Sequence, residues 1–259
     1  MSTIVKTDAV VLKTMKYLES SKIVTYYTQR FGKVTGIVKG ARRFKSKYGL
    51  ALEPMSYVSV EFYKKEGREI QTVSLCESIK SLESLTNNLD KMAIGIAIIE
   101  IINKVSQYQE QNKPKFALLV NSLTVLNDAT QNLSNLLYYF EIHLAKIMGF
   151  GISIDRCVEC DKILKEIVEG RVYNFKVERG GLICASCFKL VDRIYPLSAG
   201  ALKILRAFQT SNELESIFRV EVDNNVGNII DDFLWVYLQY HVAGLRSLKS
   251  RKVFSKILS

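Results

Sequence analysis

The sequence predicts an α+β protein in which a small amino-terminal β-barrel precedes a bundle of helices that carries a four-cysteine module. Three observations carry this expectation. Apolar residues recur with period two from Asp8 to about Glu77, and from residue 80 onward the period lengthens to about 3.6. Four of the five cysteines stand in two tight pairs within the helical part. The expected domains are residues 1–79 and 80–259, with residues 154–190 inserted as a separate module.

Five strands fit the first region. Val10 and Leu12 share a face of the first, Ile23, Thr25 and Tyr27 a face of the second, and Val34, Gly36 and Val38 a face of the third. Val58, Val60 and Phe62 alternate along the fourth, and Val73 with Leu75 marks the fifth. Phe31-Gly32-Lys33 and Lys64-Lys65-Glu66-Gly67 supply turns in which glycine accepts a positive φ. Five strands in about 70 residues suggest a closed barrel, of which the OB-fold is the common kind that meets nucleic acid.

The helices follow. Leu82, Leu85 and Leu89 begin the bundle, and Met92 to Gln109 is apolar around most of its circumference, which predicts a central buried helix. Pro114 opens the next, and Leu133 to Met148 forms another that stops at Gly149 and Gly151. Two more are expected over Ser198–Phe208 and from Asn228 to about Lys249, the latter with Asp231 and Asp232 in its first turn. His143, without a second histidine nearby, reads as packed rather than catalytic.

The formal net charge is +10, which favours polyanionic partners. Its distribution is uneven: residues 1–80 hold 15 basic and 7 acidic side chains, and the remaining residues hold 21 and 19. The densest run is Lys39-Gly40-Ala41-Arg42-Arg43-Phe44-Lys45-Ser46-Lys47-Tyr48-Gly49, between the third and fourth strands. Cations there attract phosphates, and Phe44 and Tyr48 are of the type that stacks on unpaired bases. The plainer alternative is a solvated loop whose charges aid solubility. Arg30, Lys33, Lys39, Arg42, Arg43, Phe44, Lys45 and Lys47 are the expected nucleic-acid-binding residues. Tyr26, Tyr27, Tyr57, Phe62 and Tyr63 read more simply as core or cross-strand pairs.

Cys157-x2-Cys160 and Cys184-x2-Cys187 are separated by 23 residues. Two residues between thiols let one turn aim both sulfurs at one ion, and two such knuckles complete a tetrahedral site for a structural Zn²⁺. An iron–sulfur cluster or a redox dithiol is the alternative, although iron–sulfur runs are usually more compact. Cys76 stands alone on a strand as a small hydrophobe.

The start of the chain lacks the apolar core of a signal peptide, and the longest apolar run, Met92 to Ile102, is too short to cross a bilayer. A cytoplasmic protein without membrane partners is therefore expected. No phosphate-cradling G-x-x-x-x-G-K-[ST] or G-x-G-x-x-G is present, and two histidines with scattered acids assemble no triad, so an enzyme is not expected.

Lys39-Gly40-Ala41-Arg42 with Arg43 and Ser46, the Glu53-Pro54 entry to the fourth strand, Gly180-Gly181-x-x-Cys184-x-x-Cys187 and the closing Tyr240-His241 to Leu248-Lys249-Ser250 together resemble the RecO family of bacterial DNA repair proteins. The resemblance spans nearly the whole chain. It implies a nucleoid-associated recombination mediator that binds single- and double-stranded DNA and anneals complementary strands. It also implies action with RecR to load RecA, contact with the C-terminal tail of single-strand-binding protein (SSB), and a protein that is monomeric alone. One departure is Asp161, which follows the first cysteine pair where glycine is frequent in zinc knuckles. The runner-up is a zinc-containing OB-fold adaptor that binds RNA or acts in translation. Preference between DNA and RNA of matched sequence separates the two.

Overall fold

The fold was described from a computed structural model, which covers residues 3–44, 46–164, 166–188, 194–211 and 213–247. The chain divides into two compact units, one reaching to Asp128 and the other comprising Ala129–Ser247.

The first unit is built on β1 (Thr3–Tyr17), β2 (Ser21–Thr28), β3 (Gly32–Val38), β4 (Tyr57–Lys64) and β5 (Ile70–Lys80). They close into a barrel in the order β1-β2-β3-β5-β4, with β3 and β5 parallel through Thr35–Ile37 and Ile70–Thr72 and the other pairs antiparallel. This five-stranded closed barrel is the OB-fold. Ala9, Val11, Val24, Tyr26, Val60, Phe62 and Val73 fill the interior.

The sequence pattern identified the strands but not their inner faces on β1 and β2. Val10, Leu12 and Tyr27 share the opposite faces and are nevertheless buried, because helices cover that side of the barrel. Tyr27 packs on Phe116 at a ring separation of 6.3 Å. These helices are α1 (Ser84–Asn87), α2 (Leu89–Val105) and α3 (Lys113–Asp128). Asn88 caps α2 by accepting the Lys91 N–H at 3.0 Å, and Asn112 likewise receives the Lys115 N–H at 2.9 Å beside Pro114. Past Val105 the chain leaves the helix and lies along β3, where the Gln109 N–H donates to the Lys33 carbonyl at 3.1 Å. The expected continuation of helix to Gln109 gives way to this pairing.

In the second unit, α4 (Ser134–Ile147), α5 (Ala199–Thr210) and α6 (Asn224–His241) pack around Phe140, Leu144, Leu205, Phe208, Phe233 and Tyr237. A three-stranded sheet, β6 (Val172–Lys176) between β7 (Gly181–Ile183) and β8 (Ile194–Ser198), sits against them, with Phe175 edge-on to Phe233 at 4.7 Å. Helix α6 starts at Asn224, capped by Asp223, and ends at His241. It therefore begins four residues before the sequence signal and stops well short of Lys249, so Asp231 and Asp232 lie two turns inside it rather than in its first turn. The β6–β7 strands and the Gly180 turn occur where Val172–Val177 and Gly180-Gly181 predict them. His143 donates its Nε2–H to the Phe208 carbonyl at 3.1 Å and stacks on Tyr139, which is a packed role.

Gly32 fixes the docking of residues 106–111 on the barrel. Its φ is +62°, and a Cβ there would lie 2.1 Å from the Glu110 carbonyl oxygen. Gly32→Ala is expected to cost about 3 kcal/mol, combining left-handed strain with a backbone collision that no rotamer relieves. Urea unfolding of the two proteins checks this, and an unchanged midpoint would refute it.

Candidate nucleic-acid interface and metal centre

The β3–β4 connection builds one end of the barrel. Gly40 turns the chain with φ +70°, Arg43 N–H donates back to the Gly40 carbonyl at 3.2 Å, and Ser46 N–H donates to the Arg43 carbonyl at 3.0 Å. Two further bonds lace this loop to the β1–β2 turn: Arg42 N–H to the Ser20 carbonyl at 2.9 Å, and the Arg42 guanidinium to the Leu18 carbonyl at 3.1 Å. Lys39, Arg42, Arg43 and Lys47 are exposed, and the Phe44 ring is fully so. Lys45 lies outside the described residues.

Tyr48 does not join Phe44. It is buried in the barrel cluster with Ala51 and Leu52, and burial pushes its hydroxyl pKa upward, so stacking on a base is not open to it. Lys47 Nζ instead lies 5.3 Å from the Tyr48 ring.

Arg30 and Lys33 sit elsewhere. They flank the β2–β3 turn, and the seven residues of β3 span roughly 20 Å between that turn and the basic loop. Arg30 is exposed, donating to the Lys6 carbonyl at 3.1 Å with its guanidinium 5.3 Å from Phe31. Lys33 is only 9% exposed, its ammonium donates to the Asn103 carbonyl at 2.8 Å, and it lies 4.7 Å from the Tyr108 ring. Desolvation, aided by Lys104 and Lys115, lowers its pKa. A side chain so committed is removed from any phosphate-binding surface.

The sequence reading passed over the end of the β1–β2 ribbon. Met15, Tyr17 and Leu18 are exposed there beside Lys16, and Leu18 holds a left-handed φ of +49°. A leucine in that conformation costs roughly 1 kcal/mol relative to glycine. The signal was the apolar set Met15, Tyr17 and Leu18, the first two out of step with Val10 and Leu12, set among Lys13, Lys16 and Lys22.

In the second unit the four cysteines converge. All four sulfurs lie within 4.8 Å of one another, and Cys160 Sγ is 3.7 Å from Cys184 Sγ. A tetrahedron with metal–sulfur bonds of about 2.3 Å has edges of about 3.8 Å. A disulfide needs about 2.05 Å, and the cysteines are all free thiols. The donor set can thus hold one metal ion. The knuckle geometry comes from Cys157 N–H to the Lys162 carbonyl at 2.8 Å and Asp161 N–H to the Cys157 carbonyl at 2.9 Å. Asp161 has φ +58°, a conformation that aspartate tolerates better than most residues, and its carboxylate meets Arg156 at 2.8 Å. The missing glycine is thereby accommodated. Burial raises the Cys157 pKa, but N–H groups of Cys184, Glu159 and Cys160 outweigh it and bring the thiol to about 6, favouring the thiolate that a metal requires. Cys76, by contrast, lies inside the barrel with Tyr26, and burial pushes its thiol up to about 11.

No helix among the described residues is long and apolar enough to cross a membrane. Residues 1–82 match the family model of the recombination protein O N terminal, and residues 86–252 match that of the recombination protein O C terminal. The chain is 38% identical over 174 residues to the DNA repair protein RecO of Salinibacter ruber, covering 66% of this chain and 67% of that protein. It is 28% identical over 257 residues to that of Syntrophus aciditrophicus, with 97% and 95% covered, and 29% identical over 256 residues to that of Chloroherpeton thalassium, with 98% of each covered.

Proposed function

The chain belongs to the recombination protein O family, whose role is DNA repair and recombination, and we propose that it serves there as a mediator without nucleotide chemistry. In this reading it binds single- and double-stranded DNA, anneals complementary strands and acts with RecR to load RecA onto DNA coated by SSB, whose C-terminal tail it contacts. It works in the cytoplasm, associated with the nucleoid. The observation that carries the reading is the exposed cluster of Lys39, Arg42, Arg43 and Lys47 around Phe44 at one end of an OB-fold barrel. Two phosphate backbones repel one another, and cations between them lower that repulsion so that bases can test pairing. Phe44 adds a face on which an unpaired base can stack. Arg30 extends the attraction at the far end of β3, and Lys33 is left out. With the family comes DNA as the partner, and the RNA-binding adaptor loses its support.

We assign Zn²⁺ to the four thiolates of Cys157, Cys160, Cys184 and Cys187. Four protein sulfurs fill the coordination sphere and leave no position for a reactive water, so the ion is structural.

Three measurements test these proposals. Annealing of two labelled complementary strands, one coated with SSB and without ATP, should accelerate on addition of the protein and lose that acceleration at high salt. No acceleration by zinc-loaded protein that binds DNA would remove the annealing role. Arg42→Ala, Arg43→Ala and Lys47→Ala combined should weaken single-strand binding and flatten the slope of log affinity against log salt by about 2, at roughly 0.7 to 0.9 per phosphate contact. An unchanged slope would displace the site from this loop. Finally, Cys157→Ser should abolish zinc binding and expose residues 152–188 to limited proteolysis without abolishing DNA affinity. A folded, protease-resistant variant that bound no DNA would contradict a structural ion.

A further inference from the structure

Tyr17 and Leu18 stand exposed at the end of the β1–β2 ribbon, with Met15 one step back along β1. Leu18 is 74% exposed in a left-handed conformation that glycine or asparagine would adopt at lower cost. Tyr17 is exposed beside it, and the two hydrogen bonds from Arg42 to Leu18 and Ser20 hold this turn next to the loop that presents Phe44. Across residues 13–22 and 39–47 the lone acid is Glu19, so the apolar tip is set in a cationic field. A partner for it needs a flat apolar face bordered on two sides by negative charge.

The end of a base-paired segment has that form. Within an intact duplex, an apolar side chain reaches a base face by unstacking a step. A free single strand offers base faces without a fixed geometry. Where duplex gives way to single strand, the last base pair already exposes one face and phosphates diverge on both sides.

We propose that Leu18 and Tyr17 cap the terminal base pair at a junction between double- and single-stranded DNA, while the neighbouring cations hold the diverging backbones. The inference rests on the reading of this barrel end as the DNA-binding surface, and it narrows the preferred substrate to junctions, including the advancing edge of two strands being annealed.

The test uses the full-length protein and competition against a labelled single strand by three unlabelled DNAs: a relaxed, covalently closed duplex circle, the same circle carrying a single-strand gap, and a free strand of the gap's length. The gapped circle should compete about tenfold better than either of the others, as expected for one stacking contact. Leu18→Asn relieves the left-handed backbone and should fold at least as well, yet it should abolish the preference while leaving affinity for the free strand unchanged. Tyr17→Ser, which does not touch that backbone, should move in the same direction. A 2-aminopurine in the terminal pair of the gap should change its fluorescence with the original protein and not with Leu18→Asn.

Persistence of the gap preference in both variants would overturn the proposal. So would equal competition by all three DNAs with the original protein, and in that case the basic loop would still stand as a DNA-binding surface. Failure to bind any DNA would remove both readings. Binding to phosphatidylglycerol vesicles that Leu18→Asn abolishes, with gap preference intact, would assign the tip to a lipid surface instead.

Discussion

The parallel pairing of β3 with β5 is the constraint on which the first unit depends. It closes the barrel through only three residue pairs, Thr35–Ile70 to Ile37–Thr72, and it obliges the chain to cross between β3 and β4 by a long connection rather than a tight turn. Residues 39–56 make that crossing and divide their work along their length. The second half turns into the barrel, where Tyr48, Ala51 and Leu52 join the core, and Lys22 grips Glu53 at 2.7 Å. The first half stays outside, pinned to the β1–β2 turn by Arg42. One segment therefore both seals the barrel and displays its cations, so the display is anchored by the burial of its own continuation.

The alternation of strand residues was legible because every strand has at least one buried side. Which side faces inward was not, because β1 and β2 are buried on both. Val10, Val11 and Leu12 are all covered, and a strand covered on two faces shows an apolar run rather than a clean period. Only the helices that follow resolve the ambiguity, and their packing against the barrel is a tertiary fact that no local pattern encodes.

The candidate interface was legible in composition and partly misread in space. The basic run between β3 and β4 is a contiguous segment, so its members stay together in the fold. Arg30 and Lys33 lie close in sequence to that run, but an extended strand carries them roughly 20 Å from it. Lys33 illustrates a second limit: a lysine on a strand has an aliphatic stem that packs well, and a single carbonyl at Asn103 suffices to hold its ammonium below the surface. Tyr48 and Phe44 are both aromatics in one basic loop. Their fates diverge because the chain turns inward after Ser46.

The cysteine module was the most legible part, since spacing alone fixes which sulfurs meet, and its composition explains why thiols rather than packing define it. Among the described residues its local core comprises three buried side chains, Cys157, Ile183 and Cys184, with Val158, Leu164, Cys187 and Ile194 partly buried around them. So few apolar groups do not offset the conformational entropy of ordering some thirty residues. A metal ion bound by four thiolates supplies the missing free energy in small domains of this kind, and its binding is inseparable from their folding. The backbone N–H groups directed at Cys157 fit that division, because they stabilise thiolate charge in a turn that would otherwise be held by little else. The left-handed Asp161 fits the same division: the Cys157 carbonyl takes its N–H and Arg156 meets its carboxylate at 2.8 Å, so polar contacts hold the knuckle where glycine would otherwise ease the turn.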